Sequence, residues 1–189
     1  PSVPKRVFFG VKACDAAALA VQDRFFAEDS YYQARRQAAL VVAVDCRHPC
    51  ATGFCPLTHS GPCVREGADI VLTPAPHGWY LQVATEQGQT ALAGLSLAAS
   101  DDMTVNQHRQ ATEQQCLAEF ADLSTLATGM ARLQAGQVTA PEWETLAVQC
   151  LSCSGCVNLC PTCSCFTTFD VTHTDKTVVR ERVWDSCLY

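Results

Sequence analysis

The sequence predicts an α/β fold, a small mixed sheet with helices, followed by a separate cysteine-rich module. Near the N-terminus an apolar strand, two helical stretches and a second apolar strand follow one another, which is typical of a βαβ unit with parallel strands. Near the C-terminus seven cysteines fall within the last forty or so residues, roughly a fifth of the 189-residue chain. We therefore place an α/β domain with a cysteine-rich loop at residues 1–138 and the second module at residues 139–189.

The predicted elements follow from hydrophobic periodicity. Val7–Val11 is expected to be a short buried strand, and Asp15 is placed to cap the helix after it. Leu40–Val44 is apolar at every position, as expected for a strand covered on both faces. Residues 68–73 and 79–85 predict two further strands, the second an antiparallel edge.

A long helical pattern over residues 106–134 comes next, with Cys116 on its apolar stripe and therefore interpreted as a core residue. Thr139 and Glu142 then have the spacing of a capping box. They predict a short helix that leads directly into the C-terminal cysteines.

Composition excludes several classes of function. The net charge is −6, the pI is about 5.2 and no Lys/Arg cluster is present, so a nucleic-acid partner is not expected. No apolar run reaches the roughly 20 residues of a membrane span, and no signal peptide is evident. We expect a cytoplasmic protein, and both ends of the sequence suggest a fragment.

The 13 cysteines are the main clue to function. A disulfide scaffold is one interpretation, but such chains are usually short, secreted and loop-rich. Here the number is odd, the chain is rich in Ala, Val and Leu, and the cysteines are bunched. In a reducing compartment, bunched cysteines more often bind metal than each other.

The most specific motif is Cys150-Leu-Ser-Cys153-Ser-Gly-Cys156-Val-Asn-Leu-Cys160-Pro161. Its form, C-x2-C-x2-C-x3-C-P, is the ligand run of bacterial ferredoxins, in which two-residue gaps place successive sulfurs inside a curled backbone. Gly155 is expected to permit the close wrap. The fourth cysteine either completes the same cluster or ligates a neighbouring one. Residues 139–189 are therefore predicted to be a ferredoxin-like 4Fe–4S segment, apparently incomplete.

Further cysteines extend the candidate ligand set. Cys163, Cys165 and Cys187 follow the run, and one cubane does not require them. A zinc site is the alternative, although zinc ribbons usually separate paired C-x2-C units by a dozen or more residues. We expect at least one 4Fe–4S cluster and as many as three.

Cysteines in the N-terminal half predict a second centre. Cys14 lies between a strand and a helix, and Cys46 follows the next parallel strand, so both belong to the carboxyl edge of the sheet, where α/β folds bind ligands. Cys50, Cys55 and Cys63 lie on the following loop. Because their spacing is irregular, isolated buried thiols remain an equal alternative.

Four segments together carry a family resemblance: Phe9-Gly-Val-Lys-Ala-Cys-Asp15, Tyr31-Tyr-Gln-Ala-Arg-Arg36, Gly53-Phe-Cys55, and Cys150–Cys165 with Trp184-Asp-Ser-Cys187. The chain resembles the iron–sulfur β subunit of cytoplasmic NiFe sulfhydrogenases and the related iron–sulfur subunit of anaerobic sulfite reductase. The resemblance implies electron transfer between a hydrogenase, or a sulfite or sulfur reductase, and a flavin-containing NAD(P)H-oxidising subunit. It also implies a second ferredoxin motif beyond Cys187, which this sequence does not include.

Two departures from that family concern possible ligands. The family usually has Arg-Pro-Cys-Asp where this chain has Lys12-Ala-Cys14-Asp15, and often has Cys-Phe-Cys where this chain has Gly53-Phe-Cys55. Cys50 or Cys63 could replace the missing thiolate. The alternative function is an enzyme whose unusual cysteine-ligated centre, built from Cys14, Cys46, Cys55, Cys165 and Cys187 in some combination, acts on sulfur or thiol substrates.

Overall fold

The computed structural model describes residues 3–185, and the chain divides into two compact units, Pro1–Ala127 and Thr128–Tyr189. The secondary structure agrees with the predicted α/β class, with two small sheets and several helices. The strands are β1 Arg6–Lys12, β2 Ala39–Val44, β3 Ile70–Ala75, β4 Gly78–Val83, β5 Phe166–Thr172 and β6 Val178–Trp184. The α-helices are α1 Ala13–Phe25, α2 Ser30–Gln37, α3 Glu86–Leu92, α4 Asp102–Ala118, α5 Ser124–Gln134, α6 Ala140–Ala147 and α7 Gly155–Leu159.

The first unit is built on a four-stranded mixed sheet with the order β1-β2-β3-β4. β2 pairs in parallel with both β1 and β3, while β4 is antiparallel to β3 at the edge. The predicted βαβ unit and the antiparallel edge strand are both present. Parallel pairing brings the carboxyl ends of β1, β2 and β3 to one side of the sheet.

The core lies on both faces of β2 and β3. On one face Val41, Ala43 and Val71 pack with Ala13 and Ala16 of α1. On the other face a second cluster contains Val42, Ile70 and Leu72, with Leu92 of α3 packed against it. Because successive residues of a strand point to opposite faces, a strand covered on both sides is apolar throughout. This explains the continuous apolar sequence of β2.

The first strand is less buried than its sequence predicts. Val7 is 63% exposed and Phe9 is 74% exposed, so the expectation of a buried strand was wrong. Within residues 3–185, β1 lies at the edge of the sheet and has one neighbouring strand, β2. Its pairing with β2 shifts register between Phe9 and Val11, and Gly10 between them has a left-handed φ of 78°. The edge strand therefore contains a β-bulge.

Two predicted helix boundaries also differ from the structure. α1 begins at Ala13 because β1 runs straight into it, so Lys12 occupies the N-cap and Asp15 lies in the first turn, where it suits the helix dipole. The long helical pattern is divided into α4 and α5. Between them the Asp122 carboxylate accepts hydrogen bonds from the Ser124 N–H and hydroxyl, both at 2.9 Å, which starts a new helix.

A buried carboxylate joins α4 to the sheet. Asp45, directly after β2, is 1% exposed. Its oxygens accept hydrogen bonds from the Val64 N–H at 2.7 Å, the Thr73 hydroxyl at 2.7 Å and the Arg109 Nε at 2.8 Å. The Arg109 side chain is 25% exposed and also donates to the Val64 carbonyl. These partners satisfy a charge that would otherwise be costly to bury.

The second unit contains α6, α7 and the antiparallel hairpin of β5 and β6. The predicted capping box at α6 is present, because the Glu142 carboxylate accepts the Thr139 backbone N–H at 2.7 Å. Arg132 of α5 donates to the same carboxylate at 2.8 Å. The pKa of Glu142 is lowered to about 2. The hydrogen bond from the Thr139 N–H is the largest cause, and the hydrogen bond from Arg132 is the next.

We expect Glu142 to titrate far below an ordinary glutamate. Its folded pKa is depressed, so its contribution to α6 is present above the unfolded value of 4.5 and is lost as the pH falls through about 2. Replacing Arg132 with Met should raise the pKa while leaving it below 4.5, because the Thr139 N–H remains. The measurement is an NMR pH titration of the Glu142 side chain. An unshifted Glu142 pKa in the unsubstituted chain would contradict the capping geometry.

Candidate metal centres

The ferredoxin-like run lies in the second unit, between α6 and β5. Cys150 follows α6, Cys156 lies in the short helix α7, and Cys160 ends that helix, with its N–H bonded to the Cys156 carbonyl at 3.0 Å. The first four cysteines of the run are exposed thiols that form no disulfide: Cys150, Cys153, Cys156 and Cys160.

The backbone of this run curls at two serines. Ser152 has a φ of 51° and Ser154 a φ of 58°, which places both in the left-handed region, uncommon for residues other than glycine. Gly155 was expected to permit this curl, but a side chain there would meet its nearest neighbour, Cys153 Sγ, at an ordinary 3.6 Å. Ser152 and Ser154 flank Cys153 and turn the chain on either side of it, a feature that the cysteine spacing does not reveal.

Local hydrogen bonds favour a thiolate at the end of the run. The Thr162 hydroxyl lies 3.0 Å from Cys160 Sγ. This contact is the largest of the effects that lower the pKa of Cys160. Hydrogen bonds from the Thr162 backbone N–H and from the Cys163 thiol and N–H lower it as well. Because the thiolate is the form that ligates metal, the turn after α7 is chemically suited to a ligand cysteine.

The remaining C-terminal candidates lie close to the hairpin. Cys163 and Cys165 are half-buried, with the Cys163 N–H bonded to the Cys160 carbonyl at 3.2 Å. Cys165 precedes β5, and its carbonyl accepts the Asp185 N–H at 3.1 Å. Cys187 lies outside the described residues. The ligand roles assigned to these three cysteines stay predictions.

A second group of thiols lies in the first unit, at the carboxyl edge of the parallel strands. Cys14 is in the first turn of α1, after β1, and Cys46 follows β2, with its N–H bonded to the Pro62 carbonyl at 3.0 Å. Both line one cavity of about 220 Å³. The structure thus brings together two residues that the sheet topology had placed at the same edge.

Three more cysteines line the same cavity. Cys50 and Cys55 come from the loop after β2, with Cys55 opening a short 3₁₀ helix. Cys116 lies on α4 and is fully buried. The sequence pattern identified Cys116 as a core residue, and its burial agrees. Its position on the cavity wall was not predicted, because helical periodicity does not reveal which element the buried face will meet.

Burial dominates the electrostatics of this cavity. It raises the pKa of Cys14, of Cys46 and of Cys55, and it raises the pKa of Cys116 to about 11. Cys50 is exposed, and the Lys12 ammonium donates a hydrogen bond to its sulfur at 3.2 Å. This bond raises the pKa of Lys12. A metal bound here must therefore displace thiol protons.

Cys63 does not belong to this group. It is 2% exposed, and its sulfur lies 4.0 Å from the Arg109 carbonyl. Burial raises its pKa to about 12. These features describe a structural thiol, so the option that Cys63 supplies a missing ligand has no support in this arrangement.

The donor set suits a cluster better than a single ion. Among residues 3–185, no three Cys, His, Asp or Glu side chains are arranged to bind one metal ion. A cubane takes one thiolate on each of four irons, so its ligand sulfurs stand further apart than those of a mononuclear site. Five thiols line the first-unit cavity and four exposed thiols lie along the run, so each site offers at least the four sulfurs that a cubane takes.

A larger cavity of about 560 Å³ adjoins the thiol cavity and shares Lys12, Cys46 and His48 with it. It lies where β1, β2 and β3 end, and Arg47 and Trp79 also line it. The edge of the sheet thus offers cationic and aromatic groups beside the cysteines. Within the described part of the chain, no helix is both long and apolar enough to cross a membrane.

Comparison with known proteins locates one cofactor. Residues 149–189 match the 4Fe-4S dicluster domain family. The chain is also 29% identical over 187 residues to sulfhydrogenase 2 subunit beta of Pyrococcus furiosus, which covers 97% of this chain and 55% of that protein. The chain therefore spans about half the length of this relative. No solved structure matches significantly.

These similarities confirm the predicted 4Fe–4S cofactor in the C-terminal segment and the resemblance to a sulfhydrogenase β subunit. The chain thus contains a C-terminal 4Fe–4S segment and is similar over most of its length to a hydrogenase subunit. The family match begins at Gln149 and excludes the thiol cavity of the first unit.

Proposed function

We propose that the chain is an iron–sulfur electron-transfer subunit that links a flavin-containing NAD(P)H-oxidising subunit to a hydrogenase or a sulfite or sulfur reductase. The run Cys150–Cys160 is the observation that carries this proposal, because it has the ferredoxin spacing and its four thiols are exposed on a backbone that turns at Ser152 and Ser154. The similarity to a sulfhydrogenase subunit supports membership of a larger complex. The flavin-containing and reductase partners follow from the family resemblance.

In this proposal Cys150, Cys153 and Cys156 hold one 4Fe–4S cluster, and Cys160 completes it or ligates a neighbour. Cys163, Cys165 and Cys187 are candidate ligands of an adjacent cluster. The bound cluster supplies one-electron chemistry. The protein's part is to set the potential through burial and N–H···S hydrogen bonds.

We further propose a second centre in the thiol cavity of the first unit, with Cys14, Cys46 and Cys55 among its ligands. The convergence of five cysteines on one cavity supports it, as does their position at the carboxyl edge of the sheet.

The test is purification of the chain without oxygen, followed by iron, acid-labile sulfide and EPR measurements. About four irons and four sulfides, with an EPR signal that appears on reduction by dithionite and disappears on reoxidation, is expected of one carrier cluster. About eight of each would support one further centre, and it lies in the first unit if replacing Cys14 and Cys46 by serine removes about four irons. Zinc without sulfide would overturn the proposal.

A second candidate function is chemistry on small sulfur or thiol substrates at the first-unit centre. The observation that favours it is the 560 Å³ cavity beside Cys46, lined by Lys12 and Arg47, which could attract an anion. The same sample decides between the two functions. An iron with an open coordination position would favour the enzyme, whereas a cluster with four thiolates would favour the electron carrier.

A further inference from the structure

We propose that Cys50 is the fourth ligand of the first-unit centre, beside Cys14, Cys46 and Cys55, and that the Lys12 ammonium donates a hydrogen bond to its sulfur. This inference rests on the second centre proposed above and names its complete ligand set. Five cysteines line the cavity, whereas a cubane with four thiolates takes four. The choice is therefore between Cys50 and Cys116.

The positions of the thiols favour Cys50. Cys46, Cys50 and Cys55 come from one short loop after β2, and Cys14 lies in the first turn of α1, so the loop and the start of that helix surround one side of the cavity. Irregular backbone can direct N–H groups at a cluster, whereas those of a helix interior are already bonded to carbonyls. Cys116 lies within α4, near its C-terminal end.

The turn at Gly53 holds Cys50 beside the cavity. The Gly53 N–H donates to the Cys50 carbonyl at 2.9 Å. A side chain at Gly53 would place its Cβ 3.1 Å from that carbonyl oxygen and 3.4 Å from the Cys50 Cβ. The absence of a side chain at position 53 therefore lets the chain fold back closely on Cys50. Gly53 lines the cavity but has no thiol, and the close turn places the thiol of Cys50 there.

Lys12 gives the Cys50 sulfur a charged partner. Its ammonium is 3.2 Å from Sγ, and Lys12 ends β1 directly before the helix that carries Cys14. A positive charge and an N–H···S bond stabilise the more negative, reduced form of a cluster and raise its potential. Lys12 is thus a positioning and tuning residue for the centre.

Cys116 has a different role in the same cavity. It is fully buried, and Phe120, four residues further on, lines the cavity with it. The end of this segment is tied to the cysteine loop by the His48 Nδ1 contact with the Glu119 carboxylate at 2.7 Å. We assign Cys116 and Phe120 to the wall that excludes water from the centre.

The test compares three substitutions in the full chain, purified without oxygen. Cys50→Ser is expected to lose about four irons and four sulfides, while Cys116→Ala retains them. Lys12→Met is expected to retain the iron and to make the midpoint potential of this centre more negative in an EPR-monitored redox titration. Lys12→Arg should restore a potential close to that of the unsubstituted chain.

Each outcome either supports or overturns the assignment. Full iron in Cys50→Ser, or loss of iron in Cys116→Ala, would show that Cys50 is not the fourth ligand. An unchanged midpoint potential in Lys12→Met would show that Lys12 does not tune this centre. Failure of the second centre itself is distinguishable, because a chain in which all seven C-terminal cysteines, Cys150, Cys153, Cys156, Cys160, Cys163, Cys165 and Cys187, are replaced by serine would then bind no iron at all.

Discussion

Replacing Cys156 with serine is expected to remove about four irons and four sulfides per chain and to abolish the EPR signal of the C-terminal cluster. Cys156 is the third of the four thiols of the run, fixed in α7 between the left-handed turn at Ser154 and the bonded end at Cys160. A hydroxyl is a far weaker ligand than a thiolate for iron in such clusters. Iron and sulfide analysis with EPR after dithionite reduction measures the effect.

Cys63→Ser is the matched control for this prediction, because it makes the same thiol-to-hydroxyl change at a buried cysteine outside both candidate centres. It should leave the iron content and the EPR signal unchanged. Equal iron in Cys156→Ser and the unsubstituted chain would mean that the run does not hold the cluster. Iron loss in both variants would point to a general loss of folding.

Replacing Asp45 with asparagine is expected to lower the free energy of unfolding of the first unit by about 3 kcal/mol. The carboxylate accepts the Val64 N–H, the Thr73 hydroxyl and the Arg109 guanidinium, and its side chain has no exposure to solvent. An amide of the same shape removes the charge, leaves the largely buried Arg109 without its counterion, and turns one acceptor into a donor. The urea-unfolding curve, followed by circular dichroism, measures the loss.

Glu113→Gln provides the comparison for that measurement. Its carboxylate pairs with Arg65 at 2.6 Å, and the Arg65 side chain is 62% exposed. Pairs that reach solvent in this way contribute at most about 1 kcal/mol. Similar unfolding curves for the two variants would show that the hydrogen bonds and the ion pair of Asp45 do not stabilise the packing of α4 against the sheet.

The sequence contained enough information for the strands of the sheet but not for the exposure of the first of them. An uninterrupted apolar run predicted β2 correctly, because a strand that is buried on both faces is apolar at every position. The same reasoning failed for Val7 and Phe9, since an apolar strand sequence does not say whether a second neighbour is present. That information depends on strand order, which is a property of the whole chain.

The sequence likewise predicted some residues of the candidate centres and not others. The topology of parallel strands was sufficient to bring Cys14 and Cys46 to one edge. The inclusion of Cys116 depends on how α4 packs against a loop more than 50 residues earlier in the chain, which no local pattern encodes. The left-handed serines also escaped prediction, because a left-handed φ is associated with glycine and Gly155 was the obvious candidate.

The bulge at Gly10 limits what the exposed first strand can do in solution. An unpaired edge with aromatic side chains is a template on which another strand can add, in a partner or in an aggregate. The backbone of β1 is regular from Arg6 to Phe9 and irregular beyond. An added strand therefore finds a short stretch to pair with before the ladder is interrupted. The irregularity that leads the chain towards Lys12 and Cys14 also shortens the surface available for strand-by-strand assembly.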